Sequence, residues 1–435
     1  MHTGTLDLTL DQITKIEGHA KLEVKIRDGK VSDLKFSIAE FKRFYTKAVR
    51  GKVTAAVPQL VARICGTCSN AHLVCSIQAI EDAYGIVPST QTTALRKLLN
   101  HGLMIRDHAL HLYVFALPDL YGRDSLLDFD EKNPEEHELL HDALAVKEAG
   151  NQLSIWSGGR SVHAPGPIIG GCMVLPKEGR QTELVTLLEN IRPKVLRVIS
   201  IFASCAFKLE KDFSFSALQD PSYDYLSGSV IAANGDTVPS KEYGDHLEHV
   251  IIPYSQASGY RFKGRTFMVG ALARLNLSRQ NLHPKTQLDA AESLQLFPSQ
   301  NIFHNNLAQA IEILQSINES IDILKALHIQ DEKPIPFSVR SGVGVGVIEA
   351  PRGTLYHRYE INDKGIVQNA RIIVPTGQNQ IAIEQSLLQF TQQNLDKTKD
   401  ELSFEYEKII RAFDPCMSCA SHFLKVKIDN VHRNT

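Results

Sequence analysis

The chain has 435 residues, 43% hydrophobic and 22% charged, with a formal net charge of −2. That is the composition of a folded, water-facing protein. It carries neither the basic excess of a nucleic-acid binder nor a polybasic segment for anionic lipid. The first twenty residues alternate apolar and polar side chains and have no charged-then-apolar leader. The apolar runs, such as "KVLRVISIFASCAF", are short and interrupted, so no bilayer-spanning segment is expected.

In chain order, "GHAKLEVKIRDGKVSDLKFSIAE" has two alternating runs about Asp28-Gly29, which predicts a hairpin. The pattern turns helical from Ser69 to Gly85. It predicts a longer helix over 92–122, ending at Pro118. Helices are expected over 134–156 and 180–212, with the Gly/Pro-dense "SGGRSVHAPGPIIGG" as a loop between them. Residues 213–280 change to short alternating runs rich in Tyr, Ser, Gly and Val, as in a small β-rich subdomain. A helix over 300–327 follows. "GVGVGVIEAPRGTLYHRYEINDKGIVQNARIIVP" reads as strands about a turn at Asp363-Lys364-Gly365. Helices return over 379–395 and 399–412. No internal repeat is visible. The expectation is an α-dominated α+β fold, a central long-helix bundle with peripheral β segments, forming one domain over 1–435.

The seven cysteines are Cys65, Cys68, Cys75, Cys172, Cys205, Cys416 and Cys419. This is too few and too odd a number for a disulfide framework. With no export signal, reduced thiols in a cytoplasmic setting are expected. Four of them form two Cys-x-x-Cys pairs, in "RICGTCSNAH" (Arg63–His72) and "DPCMSCASH" (Asp414–His422). Each pair has a histidine a few residues on. Thiolates are soft metal ligands, and this spacing lets two sulfurs converge on one centre. A structural zinc site or an iron–sulfur cluster would use the same four ligands. The pairs lie almost the full length of the chain apart, unlike a compact zinc module. They fit a clamp around a buried centre whose binding adds to folding. Cys75, Cys172 and Cys205 have no motif partner and read as small buried apolar residues.

These motifs resemble those of the large, catalytic subunit of nickel–iron hydrogenases. "KIEGHAKL", "RDHALHLYVFALPD", "GGRSVHAPGPIIGG", "VGALARLN", "EAPRGTLYH" and "IIVPTGQNQ" continue the likeness in family order. The resemblance implies the nickel–iron hydrogenase large-subunit fold and reversible cleavage of H2 to protons and electrons. It implies a nickel ion and an iron bearing CO and two CN ligands. Cys65 and Cys416 would bind nickel alone, and Cys68 and Cys419 would bridge nickel to iron. His72, one helical turn after Cys68, would donate a hydrogen bond to the bridging sulfur. Glu17 would be the first proton relay. Arg352 would stand over the metals, oriented by Asp107 and Asp414. Thr376 and Pro351 fall at positions that line the iron's diatomic ligands.

Three departures stand out. Thr46 replaces a glutamate that, with His422, would ligate a magnesium or iron ion near the C-terminus; a hydroxyl is a poor ligand for a hard dication. Lys15 stands where the family often has arginine. "FLKVKIDNVHRNT" after His422 has the length of a cleavable extension, 423–435, and its removal after nickel insertion is expected. Few cysteines remain for electron-transfer clusters. The resemblance therefore implies an iron–sulfur small subunit, further electron-transfer subunits, maturation chaperones and an endopeptidase as partners. It implies no nucleic acid and no membrane insertion. A regulatory H2 sensor with the same site, or a non-hydrogenase subunit of a membrane complex on the same fold, are the competing functions.

Overall fold

A computed structural model describes residues 5–41, 44–232 and 236–421. The chain opens with an antiparallel sheet of β1 (Leu6–Leu10), β2 (Ala20–Arg27) and β3 (Lys30–Ile38). The Asp28-Gly29 turn between β2 and β3 has both residues at positive φ, 50° and 68°. That geometry matches the twist of the flanking strands, as a two-residue hairpin requires.

The body is helical. α1 (Ser69–Tyr84), α2 (Thr90–Ala109), α3 (Pro134–Gly158), α4 (Gln181–Ala203) and α5 (His304–Ala326) pack on one another. α5 is buried along nearly all of its length, polar residues included, so it is the axis of the bundle. α2 and α3 approach closely at Gly102 and Gly150, where a Cβ on either residue would press on the other's carbonyl oxygen. Asn133 caps α3, accepting from the Glu135 amide at 3.0 Å, and Pro134 starts the helix.

The second β layer is the antiparallel meander β4 (Gly342–Ala350), β5 (Gly353–Ile361) and β6 (Val367–Ile373). The alternate glycines of β4 face α1. Side chains at Gly344 and Gly346 would collide with the Ala79 and Cys75 carbonyls, so helix and sheet sit closer than any other residue allows. α6 (Pro375–Gln393) and α7 (Lys399–Ala412) close the fold. α7 begins with a full capping box, Thr398 and Glu401.

Several sequence boundaries move. The helix after Thr90 runs past Pro118 to Leu120, through a wide π-type turn at Leu110–Ala116. Pro118 falls in the first turn after that widening, the position where a missing N–H is tolerated. α4 stops at Ala203, well short of 212. The 213–280 segment holds strands Ser214–Gln219, Ser229–Ala232, Thr237–Val238, Leu247–Val250, Gly259–Phe262 and Phe267–Met268, but ends in a helix, Ala271–Ser278. Its apolar face packs against Val347, Tyr356 and Ile373 of the second sheet. No described helix is long and apolar enough to cross a membrane.

Candidate metal centre

The two ends of the chain meet through the segment between β1 and β2. Arg411 of α7 donates to the Thr14 carbonyl at 3.0 Å and grips Asp119 through Nε and Nη2, at 2.7 and 2.9 Å. Lys15 adds a bond to the same carboxylate at 2.7 Å. Next to this clamp, Glu17 pairs with Cys416 as an isolated parallel bridge, and the Met417 amide donates to the Glu17 carbonyl at 3.0 Å. The first cysteine pair comes from the other side. Cys65 ends a short helical turn in extended conformation, and Cys68 is the residue before α1.

The four sulfurs form one cluster, all within 4.8 Å of one another and all buried. Cys65 Sγ lies 3.3 Å from Cys416 Sγ, Cys68 Sγ 3.1 Å from Cys419 Sγ, and Cys416 Sγ 2.9 Å from Cys419 Sγ. None is in a disulfide. Hydrogen bonds from Cys416, Cys419 and Cys68 hold Cys65 well below the usual thiol range. Burial pushes Cys416 and Cys419 well above it. Four such sulfurs cannot all ionise together without a cation among them. Sulfurs bonded to one ion at about 2.3 Å can be no more than about 4.6 Å apart, close to the spread seen here. The donor set therefore fits a soft metal centre.

The surroundings are polar and largely buried. Glu17 Oε2 accepts from Cys416 Sγ and from the Ser418 amide, each at 3.1 Å. Burial, then the charge of Cys65, raises its carboxyl above the ordinary value. Arg352 is buried and forked between two carboxylates: Nη1 donates to Asp107 at 2.7 Å, Nη2 to Asp414 at 2.9 Å. Burial works against its charge, but Asp107, Asp414, Cys416 and Cys68 outweigh this and hold it firmly protonated. Its Nε has no hydrogen-bond partner among the described residues. Asp414 is at φ 47° and also accepts from Gln309 Nε2 at 2.8 Å. The Thr376 hydroxyl accepts from the Cys416 amide at 2.8 Å, which fixes the backbone of the second pair. Pro351 is buried beside Arg352. The His72 ring reaches across to Cys419 Sγ, at 3.7 Å. Its Nδ1 meets His357 Nε2 at 3.1 Å.

Thr46 lies in the short helix Tyr45–Ala48. His422 and the 423–435 segment are outside the described residues, so the second metal site and the cleavable extension have no structural account. Several residues at the site were not singled out from sequence. Arg106 donates to the Thr67 carbonyl, between the first two cysteines, at 2.6 Å. Gln309 sits on buried α5, and His357 is two residues from Tyr359 on β5. The available signal was polarity inside helices and strands that are otherwise buried throughout.

Comparison with known proteins agrees with this geometry. The family model described as nickel-dependent hydrogenase matches residues 43–182 and 232–422, and a HoxL-like model matches residues 7–41. The sulfhydrogenase 2 alpha subunit of Pyrococcus furiosus is 34% identical over 96% of this chain and all of that one. The NAD-reducing hydrogenase HoxS beta subunit of Cupriavidus necator is 27% identical, over 96% of this chain and 95% of that one. The solved NAD+-reducing [NiFe]-hydrogenase in its H2-reduced state has the same fold, with a TM-score of 0.84 at 24% identity, covering 96% of this chain and all of that one. The chain belongs to the nickel-dependent hydrogenase family. It is a catalytic large subunit with a nickel–iron centre; CO and CN ligands on iron are typical of the family. Its relatives are large subunits of multi-subunit hydrogenases, so a small-subunit partner is implied.

Proposed function

We propose that the chain cleaves H2 heterolytically, and re-forms it, at a centre held by Cys65, Cys68, Cys416 and Cys419. Cys65 and Cys416 would hold nickel, and Cys68 and Cys419 would serve both nickel and iron. The carrying observation is a carboxylate, Glu17, hydrogen-bonded to one of four buried, unbridged sulfurs. When bound, the nickel–iron group supplies the redox site that takes the electron pair of H2.

The chain's own residues manage the proton and the field. Glu17 Oε2, 3.1 Å from Cys416 Sγ, accepts a proton from that sulfur and passes it outward. Its raised carboxyl pKa suits a group that must both take and release the proton. Arg352, fixed by Asp107 and Asp414, contributes a permanent positive charge whose field favours the thiolates of Cys416 and Cys68. His72 orients Cys419, and Thr376 orients Cys416. Pro351 shapes the wall beside Arg352. The close packing of all these groups keeps bulk water from the sulfurs.

Electrons leave through an iron–sulfur small subunit. Cys75, Cys172 and Cys205 do not join any metal-ligand group among the described residues, which supports placing the clusters on another chain. Further electron-transfer subunits, maturation chaperones, a processing endopeptidase and a cytoplasmic location complete the reading. The chain is proposed to be one domain over 1–435, with 213–280 as a β-rich elaboration.

The test is hydrogen–deuterium exchange with Glu17→Gln in the complex purified with its partner. Nickel and iron contents stay at wild-type levels, and exchange falls about 100-fold or more, the scale of lost acid–base catalysis. Wild-type exchange in that variant would remove Glu17 from the path.

A further inference from the structure

The first turns of α3 carry a pattern unrelated to the cysteine centre: His137-Glu138-Leu139-Leu140-His141. Two histidines four apart with a glutamate after the first is the ligand spacing of helical zinc sites in metalloproteases. On a helix this spacing puts both side chains on one face, one turn apart. Here both histidines are exposed, and their ring centroids are 4.4 Å apart, at 60°. Neither imidazole has a hydrogen bond to the described residues, so both rings are available to a ligand. The leucines between them, Leu139 and Leu140, are buried and half-buried, which fixes the helix to the body from its other side.

The rest of a hydrolytic site is missing. Glu138, which would serve as general base, is paired with Arg197 on α4. Asp142 is buried and paired with Lys194 at 2.7 Å. Among the described residues no third histidine, cysteine or carboxylate joins the pair. The pattern has the chelating half of the motif without the catalytic half.

We infer that His137 and His141 form a surface chelate for a late first-row divalent cation, with the remaining positions filled by water. Two imidazoles and water select nitrogen-seeking ions. The order is Cu2+ above Ni2+ and Zn2+, whereas Mg2+ and Ca2+ prefer oxygen ligands and are not held. The second imidazole closes the chelate as an intramolecular event. Either ring alone binds far more weakly than the pair. The site is exchangeable, unlike the buried four-sulfur centre, so nickel analysis of this protein counts two separate populations.

The experiment uses the complex with its partner, stripped of loosely held ions by dialysis against a chelator and then titrated with Ni2+ by equilibrium dialysis. The wild type takes up one exchangeable nickel per chain beyond the retained one. His137→Ala and His141→Ala each weaken it about tenfold or more. H2 turnover is unchanged in both, since alanine favours the helix and neither ring touches the centre. A second readout needs no variant: Cu2+ added to wild type gives an electron paramagnetic resonance spectrum with coupling to two nitrogens. No exchangeable nickel in the wild type, equal uptake by the double variant, or a copper spectrum without nitrogen coupling would overturn the assignment.

Discussion

Arg274 holds Glu312 by two parallel hydrogen bonds, Nε to Oε1 at 2.6 Å and Nη2 to Oε2 at 2.7 Å, with both side chains fully buried. The same guanidinium bonds Glu349 at 2.6 Å and the carbonyls of Ala350 and Pro351 at 3.1 and 3.0 Å. On its other side Glu312 meets His108 at 3.0 Å and Tyr223 at 2.8 Å. His108 follows Asp107 on α2, and Pro351 precedes Arg352. One buried ion cluster therefore anchors the backbone beside both members of the Arg352–Asp107 pair, and through Glu312 it ties that backbone to α5.

This cluster makes Arg274→Met a severe change. Methionine fills the space but leaves Glu312 and Glu349 buried without their cation. Removing one partner of a buried pair costs about 3–5 kcal/mol. The expected result is a clearly lowered thermal midpoint. Arg274→Lys restores charge but not the fork, so it recovers only part of the loss.

Glu312 also sets a pH dependence. Burial alone would raise its carboxyl, but the charge and hydrogen bonds of Arg274, with His108, hold it down to about 2. A depressed carboxylate stabilises the fold above its unfolded value of about 4.3. That contribution fades as pH falls from there toward 2. Unfolding midpoints followed over this window should drop in the wild type. They should drop less steeply in Glu312→Gln, which starts lower but has no proton to gain.

At the α2–α3 crossing, Gly102→Ala would push a methyl against Ser154 and the Gly150 carbonyl. Overpacking of this kind costs about 1–3 kcal/mol. The metals, remote in their ligands from this contact, should be retained, which metal analysis beside a denaturation curve would check.

The cysteines divide into two classes. Cys416→Ala removes one of the four clustered sulfurs and should abolish nickel retention. Cys75 donates to the Gly346 carbonyl at 3.3 Å and is buried by α1 against β4. Cys75→Ala should keep nickel and iron at wild-type levels and only lower stability. Loss of nickel in Cys75→Ala would move that thiol into the centre's support.

Local chemistry made much of this readable. The Asp28-Gly29 turn, the capped start of α7 and the two Cys-x-x-Cys pairs all depend on residues within a few positions of one another. The ends of helices were read less well. α4 was expected nine residues too long, because its pattern fades without a strong stop signal. Pro118 read as an end because the π-type turn that accommodates it has no signature in spacing. His72 was expected to reach a bridging sulfur, and only the packed chain brings its ring to 3.7 Å from Cys419.

By itself, the sequence determined which atoms are available: four thiols in two pairs, a carboxylate in "KIEGH", an arginine in "EAPRG", and the periodicities that make helices and hairpins. Those follow from side-chain chemistry and short-range geometry, which act within one or two turns of chain. The tertiary structure decided who meets whom. Glu17 touches Cys416 because Arg411 and Lys15 converge on Asp119 and draw the N-terminal segment against the C-terminal motif. Arg352 meets Asp107 and Asp414 because Arg274 and Glu312 pin its turn to the helices. Such contacts join residues tens to hundreds of positions apart, and they depend on burial and exact distance. Only the packed chain sets these.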